Sequence, residues 1–259
     1  MVGDVTISSF LNYLGVDRQE PTLGFLNALI KQHQLVVPFE TLTKIIDYER
    51  GYRTQKFLPD MELYVQRTVC AGTGGTCWTL ARGLHWLLTR LGFEASYMYM
   101  DPGHVCLRVE LDQPYYVDVG YAAPLFQAYP LNQSFTAQNP REVFVYHVNG
   151  KGIRVNREPG PKKVLKVTPR KLAEFKAEII ASNQWTPHSF LNRLSIFSYV
   201  DGVPTSLSNG ILKQSYQDRQ EERGLSPSEV LDWVEFKLRI DPQVYEEAEV
   251  LHRKWMAHS

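Results

Sequence analysis

Two alternating runs between residues 104 and 120 admit one strand register. Val105, Leu107 and Val109 alternate with His104, Cys106, Arg108 and Glu110, and Tyr115, Val117 and Val119 alternate with Tyr116, Asp118 and Gly120. Side chains change face at every residue of a strand, so a one-residue slip would exchange the core and solvent faces. Pairing Val109 with Tyr115, Leu107 with Val117 and Val105 with Val119 puts these apolar residues on one face. The loop left over is Leu111-Asp112-Gln113, a normal hairpin length, and Pro114 opens a strand, where its missing N–H is tolerated. On the opposite face His104 lies diagonal to Asp118, close enough for two side chains to meet.

Alternation continues outside this hairpin. Tyr97 and Tyr99 alternate with Ser96, Met98 and Met100, and short strands are expected at Val143–Val148, Ile153–Val155, Val164–Val167 and Leu194–Val200. Gly and Pro turns separate them, as in a barrel or meander. Helical spacing dominates the N-terminal third. Phe10 to Leu14 follow Ser8 and Ser9 as candidate caps and stop at Gly15, and a second helix takes Pro21 in its first turn and ends before Val37-Pro38. The best helix starts at Cys77: Cys77, Leu80, Leu84, Leu87, Leu88 and Leu91 form one stripe, closed by Gly92 and preceded by Gly72-Thr73-Gly74-Gly75-Thr76. Further helices are expected over Lys171–Ala181, from the capping box Ser226-Pro227-Ser228-Glu229 through Leu238, and after Asp241-Pro242.

The chain has 259 residues, enough for one large domain or two to three subdomains. Its 28 basic and 28 acidic residues cancel, which argues against non-specific nucleic-acid binding. No apolar run reaches the length of a membrane span, and the first ten residues lack the basic and apolar regions of a signal peptide. Three cysteines, Cys70, Cys77 and Cys106, are too few and odd in number for a disulfide framework, so a reducing, cytoplasmic setting is expected. A cysteine that matters here matters as a thiol.

Cys77 has the placement that lowers a thiol pKa: a helix start after a glycine turn, where unpaired N–H groups favour the thiolate. A histidine would take its proton and a carboxylate would orient that histidine, and His104 and Asp118 supply these parts. Register supports the histidine–carboxylate contact; spacing leaves the thiol–imidazole contact open. Plainer readings stand beside these. Cys77 is a core residue of its stripe, His104 a strand histidine, Asp118 a cap, and Gly74-Gly75 a turn. A zinc site from Cys70, Cys77, His104 and Cys106 lacks a C-x-x-C or H-x-x-x-H pair, and no metal is expected. Cys106 reads as a small neighbour of His104, Cys70 as a packing residue, and Lys162, Lys163, Lys166, Arg170 and Lys171 as a solvated loop.

These residues resemble the arylamine N-acetyltransferase family along most of the chain. Val37-Pro38-Phe39-Glu40-Thr41-Leu42 is similar to its V-P-F-E-N-L segment, Gly74-Gly75-Thr76-Cys77 to its R-G-G-x-C nucleophile motif, Gly103-His104-Val105-Cys106-Leu107 to its G-H-x-x-L strand, and Val117-Asp118-Val119-Gly120-Tyr121 to v-D-V-G-F. Pro187-His188-Ser189-Phe190 and Asp201-Gly202 resemble it more weakly. The resemblance implies an α+β fold: an N-terminal helical bundle (1–92), a central β-barrel (93–200) and a C-terminal α/β lid (201–259), around a Cys-His-Asp core of the cysteine-protease or transglutaminase kind. It implies ping-pong acyl transfer from acetyl-CoA to an arylamine, hydrazine or hydroxylamine, with no metal, no nucleic acid or membrane partner, and a monomer or small homo-oligomer. Cys77 would be nucleophile, His104 base and Asp118 its orienting group. Gly74 and Gly75 would shape the oxyanion turn, and Phe39, Tyr121 and Phe190 would line the acceptor pocket. Thr73, Thr79, Ala81 and Ala122 depart from the family pattern, and the stretch between Cys77 and His104 is shorter. Loss of an Arg at 73 and an acid at 79 removes opposite charges together and leaves Glu40 in need of another donor. An amide synthase with a different acyl donor, a cysteine hydrolase and a non-catalytic member of the family are the alternatives.

Overall fold

In a computed structural model of the chain, residues 2–121, 123–140, 142–150, 152–186 and 189–257 are described. Ala122 and the pair Pro187-His188, singled out above, lie outside them. Helices α1 (Val2–Leu14) and α2 (Leu23–Val36) precede a two-residue strand β1 (Phe39–Glu40), then α3 (Leu42–Gly51), α4 (Met61–Ala71) and α5 (Cys77–Arg90). Strands β2 (Glu94–Asp101), β3 (His104–Glu110), β4 (Pro114–Val117), β5 (Tyr129–Pro130), β6 (Phe135–Gln138), β7 (Val143–Asn149), β8 (Gly152–Glu158) and β9 (Lys162–Arg170) follow. Next come α6 (Lys176–Ser182), β10 (Ser195–Val200), β11 (Val203–Ser208), β12 (Ile211–Ser215), β13 (Gln220–Gly224), α7 (Pro227–Asp232) and α8 (Pro242–Met256). No described helix is long and apolar enough to cross a membrane. The chain forms two compact units, Met1–Gln34 with Leu80–Lys176 and Leu35–Thr79 with Ala177–Ser259, and the division falls inside α5.

The first unit is built on an eight-stranded antiparallel sheet in the order β5-β4-β3-β2-β9-β8-β7-β6. Every second residue of its strands, among them Met98, Met100, Phe144, Tyr146, Ile153 and Val155, is buried in a common core. Rings of Tyr129 and Phe135, on the two edge strands, stack at 3.8 Å, and the hydroxyls of Tyr116 on β4 and Tyr146 on β7 meet at 3.2 Å. The sheet is therefore a nearly closed barrel. Leu107 pairs with Val117 and Val109 with Tyr115, as the alternation requires. The ladder ends at Val117, so the expected pairing of Val105 with Val119 is absent: Asp118 turns the chain instead, its Oδ1 accepting the Gly120 N–H at 2.8 Å. The basic stretch is not a loop. Lys162, Lys163, Lys166 and Arg170 lie in β9, where Leu165 is buried between the exposed Val164 and Lys166 and the strand pairs with both β2 and β8, and Lys171 caps the 3₁₀ turn that follows.

The helical ends carry their own reasons. α1 starts at Val2 rather than after Ser9, because Ile7 belongs to the same buried stripe as Phe10, Leu11 and Leu14. α2 is capped by Thr22, whose Oγ1 accepts the Phe25 N–H at 3.2 Å, so Pro21 precedes the first turn. α5 closes with N–H donation from Gly92 to the Thr89 carbonyl and from Phe93 to the Leu88 carbonyl, the left-handed glycine ending its stripe predicts. A 3₁₀ turn (Leu172–Phe175) replaces the start of the helix expected over 171–181.

The second unit holds a five-stranded antiparallel sheet, β1-β10-β11-β12-β13, whose core joins Leu42, Ile45 and Ile46 of α3 to Ile196, Leu207, Val234 and Ala248. Ser226 Oγ and Glu229 form the expected capping box on α7. The helix does not run on as a plain α-helix to Leu238, since residues Trp233–Lys237 make one π-helical turn.

Candidate active site

Cys77 begins α5 and is buried. The glycines before it are there for space. A Cβ on Gly74 would lie 2.0 Å from the Pro38 carbonyl oxygen, and Gly75 has φ +131° and touches β1, where the Glu40 N–H donates to its carbonyl at 3.0 Å. The turn is thus laid directly on the Pro38–Glu40 backbone. Glu40, fully buried, finds its donors locally: the Thr43 N–H at 2.8 Å, the Thr43 hydroxyl at 2.5 Å and the Gly74 N–H at 3.3 Å. Burial pushes its carboxyl above the usual range, against those hydrogen bonds. The Gly74 N–H is therefore directed at Glu40. Thr73 and Thr79 are buried, and beside them an ion pair from other positions, Arg67 Nη1 to Asp47 Oδ1 at 2.8 Å, lines the same small cavity.

Lys44 was not legible as a site residue. It sits on α3 between the buried Thr43 and Ile45, is itself almost fully buried, and donates from Nζ to Asn183 Oδ1 at 2.7 Å. Burial lowers its pKa to about 8, while the negative charges of Cys77 and Asp47 oppose the drop. The coupling is mutual, so an ammonium at Lys44 favours the Cys77 thiolate. Cys70 is exposed on α4, correcting its reading as a packing residue: the buried face of that helix is carried by Tyr64, Val65 and Thr68. None of the three cysteines is in a disulfide, and among the described residues no His, Cys, Asp or Glu cluster is arranged to hold a metal.

His104 and Asp118 belong to the barrel unit and meet there. His104 Nε2 lies 2.6 Å from Asp118 Oδ2, and both side chains are buried. With Asp118 as acceptor the ring hydrogen is on Nε2, leaving Nδ1 to take a proton. The Tyr116 hydroxyl donates to the same Oδ2 at 2.6 Å. Gln34 of α2 donates from Nε2 to the Asp118 carbonyl at 2.7 Å and to that of Leu125 at 3.1 Å, pinning the turn that carries the carboxyl. Cys106 is buried two residues from His104.

Tyr121 packs its ring 4.7 Å from that of His104, with Arg157 Cζ and Lys163 Nζ each 5.9 Å from the Tyr121 ring centroid. In the second unit Phe39 and Phe190 meet edge to face at 5.5 Å, Phe190 remaining 44% exposed. Structure thus joins His104 to Asp118 and Tyr121, and Phe39 to Phe190. Cys77 lies in the unit of Phe39, Glu40 and Lys44.

The chain is similar to known proteins along most of its length. The N-acetyltransferase family model matches residues 22–244. The arylamine N-acetyltransferase from Mycobacterium abscessus superposes with a TM-score of 0.79 at 18% identity, over 97% of this chain and 95% of its own. That from Mycobacterium marinum, in complex with CoA, gives 0.76 at 18% identity over 96% and 98%. The enzyme from Bacillus cereus, described as having a unique Cys-His-Glu catalytic triad, gives 0.74 at 13% identity over 91% and 98%. No curated protein sequence matches the chain.

Proposed function

The chain belongs to the arylamine N-acetyltransferase family, a family of acyl-transferring enzymes, and from that premise we propose that Cys77 carries an acetyl group from acetyl-CoA to the nitrogen of an arylamine, hydrazine or hydroxylamine. The observation that carries this reading is the 2.6 Å hydrogen bond between buried His104 and Asp118 in a chain matched to the family over residues 22–244. His104 Nδ1 takes the Cys77 proton. The thiolate Sγ attacks the acetyl carbonyl carbon, the bond from that carbon to the CoA sulfur breaks, and His104 gives up its proton to the departing sulfur, so that CoA leaves as a thiol and His104 is neutral again. The acceptor nitrogen then attacks the Cys77 thioester, gives its proton to His104 and expels the Cys77 thiolate. N–H groups at the start of α5, directed by the Gly74-Gly75 turn, stabilise the oxyanion of each tetrahedral intermediate. Asp118 fixes the His104 tautomer and balances the imidazolium. Phe39, Tyr121 and Phe190 supply apolar walls for an aromatic acceptor.

Mixing the protein with acetyl-CoA should leave one acetyl group on the Cys77 peptide in a mass spectrum, discharged when an arylamine is added. Cys77→Ser should carry no such thioester and transfer no acetyl group to arylamine. Equal turnover by parent and variant would refute the nucleophile assignment. The altered turn around Cys77, with Thr73 where the family motif has Arg, motivates one second reading, a different acyl donor. A panel of longer acyl-CoA thioesters decides it, since that reading requires one of them to acylate Cys77 faster than acetyl-CoA does.

A further inference from the structure

Asp118 Oδ2 is shared. It accepts from His104 Nε2 at 2.6 Å and from the Tyr116 hydroxyl at 2.6 Å, while Oδ1 takes the Gly120 N–H at 2.8 Å. Because the Tyr116 hydrogen is committed to the carboxyl, the 3.2 Å contact between the Tyr116 and Tyr146 hydroxyls must be a donation from Tyr146. A directed chain results, Tyr146 to Tyr116 to Asp118, with His104 at its far side. Both tyrosines are fully buried, so no water competes for these hydrogens.

We propose that Tyr116 is a positioning residue that restrains the basicity of His104 by competing with it for one oxygen of Asp118. The inference rests on the acyl-transfer reading above for its consequence, though not for its geometry. A carboxylate oxygen that serves two donors offers less electron density to each than one that serves a single donor. Imidazolium is the form of His104 that depends most on that oxygen. Donation by Tyr116 therefore lowers the proton affinity of His104 and keeps the base able to release the proton it takes from the thiol. Tyr146 reinforces the effect by polarising the Tyr116 hydroxyl. The other titratable groups packed around His104 and this network are Tyr121, Cys106 and, over the Tyr121 ring, Arg157 and Lys163, with Arg157 itself held by Glu142 at 2.9 Å. The Cys106 thiol is directed at the Met98 carbonyl, and the hydroxyl of Tyr116 is the donor to Asp118 Oδ2 and so the group to remove.

Tyr116→Phe keeps the ring and deletes that hydroxyl. The His104 imidazole titration, followed by nuclear magnetic resonance, should move up by on the order of half a pH unit, a fraction of the worth of one charge-assisted hydrogen bond. The pH profile of Cys77 acetylation by acetyl-CoA should move in the same direction. Tyr146→Phe should shift both by less, and it carries the test if Tyr116→Phe does not fold. An unmoved His104 titration in a folded variant overturns the inference and leaves Tyr116 as a packing residue. A parent protein that forms no Cys77 acetyl adduct overturns the acyl-transfer reading instead, and the resonance titration still judges the role of Tyr116.

Discussion

Lys44 puts a cation into the interior of the unit that holds Cys77, at a cost that burial makes visible in its pKa of about 8. Replacing it with Met removes the charge and keeps an unbranched side chain. The variant should need a pH higher by on the order of one unit for half-maximal alkylation of Cys77 by iodoacetamide, because an opposite charge nearby favours the thiolate. The two profiles should converge above about pH 8, where Lys44 of the parent loses its proton. Profiles that coincide at neutral pH would reduce Lys44 to a partner of Asn183. Residues of this kind mark the limit of reading a sequence. His104 and Asp118 are legible because one hairpin register sets them on one face. Tyr116 shares that face by the same period of two, yet the target of its hydroxyl depends on side-chain rotamers. Lys44 and Asn183 are 139 positions apart, and no periodicity connects them. The Lys44 signal was only a charge four residues beyond Glu40, next to Ile45 and Ile46.

At the scale of elements, local grammar is strong where a stripe ends in a glycine or a run alternates over a short loop. α5, β3 and the β3–β4 pairing follow directly from such patterns. β11, β12 and β13 do not. Their residues are largely polar or half-buried, and β13 (Gln220–Gly224) is exposed throughout, so only pairing with β12 defines it as a strand. The ends of α1 and α2 moved because tertiary burial of Ile7 and the Thr22 cap outweighed the cues from Ser8, Ser9 and Pro21. The turn before α5 offers a test of how tightly elements set the site. Gly74→Ala drives a methyl group against the Pro38 carbonyl oxygen and the Val37 side chain, and the first of these is backbone that must shift. The variant should lose on the order of 1–3 kcal/mol of stability, as overpacking does, in urea unfolding at neutral pH. Its Cys77 should also alkylate more slowly, since displaced Gly74 releases its N–H from Glu40 and turns the start of α5. Unchanged stability would mean that the turn has slack that the 2.0 Å approach denies.

Over the whole molecule, formal charge cancels and the two compact units are each assembled from two chain segments, so burial is decided by partners far apart in sequence. That is why the electrostatic behaviour of the protein follows a few enclosed groups more than its balanced surface. His33 on α2 is fully buried, and desolvation holds its pKa at about 3 against an ordinary 6.5. The unfolded chain therefore binds a proton near pH 6.5 that the folded protein refuses until about pH 3, and stability falls as pH drops through that window. Glu40 and Asp47 work in the opposite sense, because burial raises both: their contribution is present below the ordinary carboxylate range and is lost as pH rises through their folded values. Lys44 acts at the other end, its contribution growing as pH climbs from about 8 through 10.5. His33→Leu isolates the acid term. Urea unfolding of the parent should show a loss of roughly 3 kcal/mol between about pH 7 and about pH 4 that the variant does not share, at close to 1.4 kcal/mol per pH unit for one proton. The variant is expected to be of similar stability at neutral pH, where His33 is uncharged in both states, and to lead at acid pH. Parallel curves for the two proteins would show that His33 takes its proton in the folded state, and that another group sets the acid limit of the fold.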